Sequence, residues 1–471
     1  MQLLLRVALF FHRWMGTAFC ALFAWWFVSG IFMMYWDFPA VTEADRLQHA
    51  RPLNPSRVLR GMPGPGVPSL AIFDGRPAWI SGTGARRSIT FADDGKRLLV
   101  FSPEVNLRTA AEWAGRPAGE AQVETLTEAD QWTVQGSFGA LRPLAKYEWP
   151  DGQAVYISTR SGEVVQYTTR RSRLFAWLGA IPHWLYFTPL RTNMELWSRV
   201  VIWASGLATL AALLGLGVGL AMLSPRKKYR HAGLPTAIPY SGVKRLHTQW
   251  GLFFGVLVCT WAFSGMLSMD PIGSPARGLS SVPAALRSVP DLRQFTVQSM
   301  ADALRKAPGT VLLTLAVFPG ETLYVARDAA GRITVIPVSG EPRAELGADH
   351  IVAALKSAGE SDVRVVREYD FWYRDRLGRK PLPAVLVTRT AEGMRYYVDP
   401  RTAAIVGSYR TNDWVNRWLY HGLHSLDFPL LYRYRPLWDV VMLVLLGGGL
   451  VASGTGVVLG FRVLRQRVFR A

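Results

Sequence analysis

The chain has 471 residues, half of them hydrophobic, and a formal net charge of +19. That length is more than a single hydrophobic core serves and suits two or three units. A charge of this size on a soluble surface would suggest nucleic acid, but the location of the cations excludes that class.

In chain order, four stretches lack Asp, Glu, Lys and Arg: residues 14–36, 200–225, 246–269 and 440–461. Each exceeds the roughly 20 residues with which a helix crosses about 30 Å of hydrocarbon. The fold class expected is a membrane α-helical bundle of four transmembrane helices, with two exported α/β domains. The segments are 1–36 (leading segment and first span), 37–199 (first domain), 200–225 (second span) and 226–245 (basic loop). They continue with 246–269 (third span), 270–439 (second domain), 440–461 (fourth span) and 462–471 (basic tail).

Arg6 and Arg13, then Arg226, Lys227, Lys228, Arg230, Lys244 and Arg245, then Arg462, Arg465, Arg467 and Arg470 all fall on one side of these spans, with no acid among them. These twelve cations leave 41 of the 53 Lys and Arg against 34 acids elsewhere. The positive-inside rule makes that side cytoplasmic, with both termini there and both large loops in the periplasm. No nucleic-acid partner is implied; the bilayer is the first partner. The first span ends in MMYWDFP rather than a small-residue cleavage site, so it is expected to stay as an anchor. Trp36, Trp197 and Trp438 are expected in an interfacial belt. Cys20 and Cys259, the only cysteines, lie inside spans, which excludes disulfides and Cys-ligated zinc or iron–sulfur sites in the exported domains.

The second exported domain predicts a helix over 296–306 capped by Thr296 or Ser299, then strands at 311–318, 322–326 and 332–338. A helix at 350–358 follows, with strands at 363–368, 384–389, 394–398 and 404–408. Helix followed by antiparallel sheet, twice, suggests tandem small modules. The first domain is harder to parse, with a Pro/Gly-rich stretch at 62–68.

The chain also matches itself. His12, Gly16, Phe19, Trp26, Ser29, Gly30 and Met34 align with His247, Gly251, Phe254, Trp261, Ser264, Gly265 and Met269 at a constant offset of 235. Gly152, Tyr156, Arg160, Val165, Trp177, His183, Leu185 and Phe187 align with Gly393, Tyr397, Arg401, Val406, Trp418, His424, Leu426 and Phe428 at an offset of 241. Each half then reads as span, exported domain, span. The expectation is an internal duplication about a pseudo-two-fold axis along the membrane normal.

The run Tyr397–Val398–Asp399–Pro400–Arg401–Thr402, the segment RWLYHGLHSLDFPLLYRYRPLWD and the earlier YDFWYRDRLGRKPLPAVLV from Tyr369 resemble the PepSY-associated transmembrane family. The resemblance covers nearly the whole chain. It implies PepSY-type exported domains. Some members are inner-membrane ferric-siderophore reductases with two b haems between their helices. Two departures stand out: Arg401–Thr402–Ala403 replaces the usual turn glycine, and the first copy reads Ser158–Thr159–Arg160 where the second has Asp399–Pro400–Arg401.

Histidine near a membrane span usually has a task, and imidazole is a common axial ligand of b-type haem. His12 and His247 open the first and third spans and would meet across the bundle at one haem; a polar cap among Arg13 and Arg245 is the competing reading. Gly16 and Gly251, four residues on, would make room for a flat macrocycle. His183 and His424 precede the second and fourth spans in apolar, aromatic segments (174–189 and 415–429) expected to form short helices. They would hold a second haem, against the alternative of core histidines in a hydrophobic loop. His421 lies three residues before His424, but its counterpart is Ala180, which leaves it an alternative ligand or a propionate donor. His49, His231 and His350 lack repeat partners and read as surface histidines. Arg160 and Arg401 fit a propionate or anionic substrate less well than a local carboxylate. Tyr369, Phe371, Trp372 and Tyr373 suit a ligand surface or a packed loop equally.

Two haem b groups would carry electrons to a periplasmic acceptor. A ferric siderophore fits, because one added electron gives ferrous iron that oxygen chelators hold poorly. No GxGxxG follows a strand and opens a helix; the glycines at 215–219 and 447–460 lie in spans and read as packing residues. The donor expected is therefore quinol or a separate cytoplasmic flavoprotein. The alternative from another class is a non-enzymatic, membrane-anchored PepSY regulator or binding module. A transporter would need intramembrane carboxylates or broken helices, which no span supplies.

Overall fold

A computed structural model describes residues 2–63, 67–270, 282–287, 291–319, 321–411 and 413–468. Part of the Pro/Gly-rich stretch at 62–68, and Arg470 of the basic tail, lie outside them. The chain divides into two compact units, 1–38 with 171–275 and 413–471, and 39–170 with 276–412.

The first unit is built on four long helices: α1 (Gln2–Met33), α2 (Met194–Met222), α3 (Gly242–Leu267) and α4 (Leu437–Val468). All four are long and apolar enough to cross a membrane. Each begins before the charge-free stretch that announced it. A helix does not stop at the hydrocarbon edge, and Arg6, Arg13, Lys244 and Arg245 stay helical beyond it. Of the four, α1 and α3 each pack against both α2 and α4, so they face one another across the bundle. Glycine allows the approach: a Cβ at Gly448 would strike the Phe254 ring, and one at Gly449 the Phe27 ring. Phe27, Met34, Trp261, Trp438, Met442 and Leu446 form the buried core between them.

Short helices precede α2 and α4. Arg170–Leu178, Ala180–Trp184 and Thr188–Arg191 lead into α2, while a π-type turn at Val415–Gly422, then Leu423–Ser425 and Pro429–Arg433, lead into α4. Trp197 and Trp438, expected at the ends of spans, are buried in protein. They are 8% and 1% exposed, and their indole N–H groups donate to Trp184 O at 2.8 Å and Ser425 O at 2.9 Å. A buried indole N–H usually finds an acceptor, and here it is a backbone carbonyl.

The second unit is mixed α/β. Its seven-stranded antiparallel sheet runs Ile333–Pro337, Glu321–Asp328, Thr310–Phe318, Ser69–Phe73, Arg76–Ser81, Ser88–Phe91, Arg97–Leu98. Strands from both halves of the chain therefore share one sheet, joined where Leu70 pairs with Leu313. Two four-stranded antiparallel sheets follow. One is Gln122–Leu126, Leu144–Glu148, Ala154–Ser158, Val164–Thr168; the other is Asp362–Val366, Ala384–Arg389, Met394–Val398, Ile405–Arg410. Helix Val297–Lys306 is capped by Thr296, whose hydroxyl accepts from Ser299 N. Met300, Ala303 and Leu304 on its inner face meet Leu313 and Tyr324 in the core.

Candidate functional site

Four histidines converge in pairs, all inside the four-helix unit. The His12 and His247 ring centroids, from the facing helices α1 and α3, are 6.2 Å apart with planes 29° from parallel. Those of His183 and His424, from the short helices before α2 and α4, are 6.0 Å apart at 73°.

The other ring nitrogen of each is engaged. His12 Nδ1 lies 3.2 Å from Ala211 O on α2, and His247 Nδ1 lies 3.0 Å from Ala452 O and 3.1 Å from Thr455 Oγ1 on α4. A carbonyl oxygen only accepts, so these nitrogens carry the proton. His183 Nδ1 lies 3.0 Å from Ser29 Oγ, and His424 Nδ1 lies 3.0 Å from Ser264 Oγ. Those serines already donate, to Trp26 O and Trp261 O, both at 3.1 Å, so they accept from the imidazole. The hydrogen-bond network thus assigns one tautomer to all four rings and leaves each Nε2 with a free lone pair. Burial, aided by the neighbouring His424, pushes His183 down to about 3; burial pushes His424 down to about 4. Both are neutral near pH 7, as ligation requires.

The local sequence explains this geometry. Side chains lean towards a helix N-terminus, so the Cβ of residue i+4 shields the carbonyl of residue i. Gly215 stands four residues after Ala211 and Gly456 four after Ala452, which bares both carbonyls to the imidazoles. A Cβ on Gly215 would sit 2.5 Å from His12 Cε1, and one on Gly456 would sit 3.5 Å from His247 Cε1. Gly30 and Gly265 lie against His183 and His424, at 3.7 and 3.8 Å from Cε1 by the same measure. The residue after each of His183 and His424 has its carbonyl fixed by Trp197 or Trp438. Leu185 and Leu426 then take left-handed backbone, φ 53° and 49°. A branched residue there is costly, and such outliers gather where a side chain must be aimed.

The two pairs fit the group expected between them. An imidazole nitrogen sits about 2 Å from a bound metal ion and roughly 1.2 Å from its ring centre, so a coaxial pair has centroids about 6.4 Å apart. The observed 6.2 and 6.0 Å are within a few tenths of that. Cβ atoms on Gly16 and Gly251 would meet nothing within 4 Å. Trp26 Nε1 and Trp261 Nε1 are buried without an acceptor among the described residues. Among those residues no three His, Cys, Asp or Glu side chains converge as a metal cluster would need, and what the helices bring together is pairs.

The remaining predicted residues separate from the site. His421 turns to Asp427, with Nδ1 3.6 Å from Oδ2, and packs on Tyr420 at 4.6 Å; the ring facing His424 is that of His183. His49 is half-buried and stacks on Trp113 at 4.2 Å, whereas His231 and His350 are exposed. Arg401 is held by Asp399 at 2.7 Å, while Arg160, beside Ser158 rather than Asp, is exposed. Tyr373 is fully buried, its hydroxyl donating to Pro381 O and its ring stacked on Tyr397 at 4.5 Å, so that loop packs on itself; only Phe371 reaches out.

Sequence reasoning named the four histidines but not Ala211, Ala452, Gly215, Gly456 or the indoles that fix the loops, nor any role for the matched serines. A signal existed. The 241-residue offset runs on through Trp197 and Trp438, Ala211 and Ala452, Gly215 and Gly456, and Gly219 and Gly460. The chain matches no protein-family model and no curated protein.

Proposed function

We propose that the chain is an inner-membrane b-type haem protein, of the PepSY-associated transmembrane type, that moves electrons across the bilayer to a periplasmic acceptor. The observation that carries this reading is the double pairing of imidazoles, with centroids 6.2 and 6.0 Å apart, every Nδ1 engaged and every Nε2 without a hydrogen-bond partner among the described residues. A regulator or binding module has no need of either pair.

Internal duplication supports the reading. Ser29 serves His183 as Ser264 serves His424, and Ala211 serves His12 as Ala452 serves His247. In the other unit Tyr156 Oη donates to Asp130 at 2.8 Å, and Tyr397 Oη to Asp370 at 2.7 Å. His12 and His247 would hold one haem, His183 and His424 the other. Bound haem supplies an iron that carries one electron at a time. The chain orients the ligand nitrogens, keeps them unprotonated and excludes water. Seventeen residues separate His12 from Ser29, and His247 from Ser264, which puts the two levels about 25 Å apart along the helices at 1.5 Å per residue. Phe27 and Trp261, with centroids 5.8 Å apart, belong to the core between those levels.

Quinol or a cytoplasmic flavoprotein supplies the electrons. The acceptor is ferric iron in a siderophore chelate, because one-electron reduction weakens its hold on hard oxygen donors and frees the metal. The test uses sealed vesicles carrying the haem-loaded protein, a reduced flavin trapped inside, and a ferric hydroxamate outside with a ferrous-specific dye. Colour should develop with the wild-type protein and fail with His183→Ala. Equal rates in protein-free vesicles would refute the proposal.

A further inference from the structure

Burying a cation inside a bundle of apolar helices is costly unless an anion faces it. Arg191, which closes the short helix Thr188–Arg191 before α2, is 6% exposed. Its guanidinium lies over the rings of Trp197 at 4.3 Å and Tyr186 at 4.9 Å. Aromatic rings attract a cation but offer its N–H groups no strong acceptor. Nη1 reaches the Met194 sulfur, a weak acceptor, at 3.3 Å. Nε is buried with no partner, and no carboxylate pairs with this side chain among the described residues.

The matching segment does not repeat this cation. At the 241-residue offset that aligns Phe187 with Phe428 and Trp197 with Trp438, its counterpart is Tyr432. Arg435, just before α4, shows the ordinary solution and pairs with Asp439 at 2.8 Å. Arg191 instead belongs to the loop that aims His183. Trp197 donates to Trp184 O at 2.8 Å, and the Tyr186 ring packs on Trp184 at 5.1 Å and on Trp197 at 5.6 Å. Arg191 N donates to Phe187 O at 2.8 Å, which ties its helix to the same loop. The residues that seat His183 therefore also seat the cation.

A guanidinium with an open edge is a seat for a two-oxygen anion, which its fork of N–H groups grips in one plane. Buried as it is, Arg191 is hidden from a lipid phosphate at the surface. A b-type haem between His183 and His424 would bring carboxylates of its own, on short flexible chains at its rim. We propose that Arg191 anchors a propionate of the haem held by His183 and His424, in an ion pair at its open Nε edge. This rests on the haem reading above, and adds to it what fixes the group within its site.

The test titrates the full-length apoprotein in detergent with haem and with haem dimethyl ester, whose propionates carry no charge, following the visible bands. A His12→Ala background leaves one ligand pair to load. That chain should bind haem roughly tenfold or more tighter than the ester. Adding Arg191→Gln should weaken haem by that factor and leave the ester unchanged, so the preference disappears. Arg191→Lys keeps the charge without the fork and should retain part of it. A chain with Arg191 intact that binds both porphyrins equally overturns the proposal, even if the variants fail to fold. Equal losses for both porphyrins in Arg191→Gln would make it a packing residue and overturn the proposal as well. A variant that loses affinity for phosphatidylglycerol and binds both porphyrins unchanged assigns Arg191 to a lipid phosphate, with the same result. An unmutated chain that takes up neither porphyrin refutes the haem reading itself.

Discussion

Gly215→Ala and Gly456→Ala are equivalent by the 241-residue offset, yet the structure predicts different outcomes. In α2 the new Cβ would stand 2.5 Å from His12 Cε1 and 2.9 Å from Nδ1, about 1 Å inside ordinary van der Waals contact. The helix backbone cannot yield, so the ring must, and the 3.2 Å bond to Ala211 O goes with it. Overpacking costs about 1–3 kcal/mol and the lost hydrogen bond about 0.5–1.5 kcal/mol. The gain from replacing glycine by alanine in a helix is only about 1 kcal/mol. The net, about 0.5–3.5 kcal/mol, falls on the aim of His12, so haem affinity at that site should drop roughly 2- to 300-fold at 1.4 kcal/mol per factor of ten. In α4 the nearest imidazole atom is 3.5 Å away, an ordinary contact, and Gly456→Ala should bind haem like wild type. Haem per polypeptide, measured by pyridine haemochrome during titration into apoprotein, decides the matter. Equal losses in both variants, or none in Gly215→Ala, would refute the reasoning.

Other outcomes follow from the same geometry. His424→Ala should lose one haem of two and leave the His12–His247 site loaded, read as a halved haemochrome value. His421→Ala should retain both haems, since its ring turns to Asp427; loss of one would restore it as a ligand. Asp370→Ala removes the acceptor of Tyr397 Oη and the cap on Trp372 N and Tyr373 N, each at 2.7 Å. Hydrogen bonds to charged groups contribute about 1.5–3 kcal/mol each, so strand Met394–Val398 should exchange its amide hydrogens faster. The haem spectrum should be unchanged, because that loop belongs to the other unit.

The spans were legible because four charge-free stretches of this length have few soluble uses, and histidine recurring in register picked out the four ligand candidates. Their supports were hidden. Serine and glycine are common in membrane helices, and only the positions of Ser29 and Gly215 against a particular imidazole give them a role. The role of Trp197 and Trp438 in fixing the loops was hidden for a related reason: their acceptors, Trp184 O and Ser425 O, come from other segments. In the second unit, strands 384–389 and 394–398 were read to the residue from alternation and turns. The pairing of Ser69–Phe73 with Thr310–Phe318 was not, because backbone ladders between distant segments leave no mark in composition.

Low-temperature electron paramagnetic resonance of the oxidised protein, with haem counted per chain, tests the central claim most directly. Two low-spin centres with bis-imidazole ligation are expected, differing in line shape because one ring pair is 29° and the other 73° from parallel. A protein that binds no haem, or binds it only high-spin with an open axial position, would contradict the account.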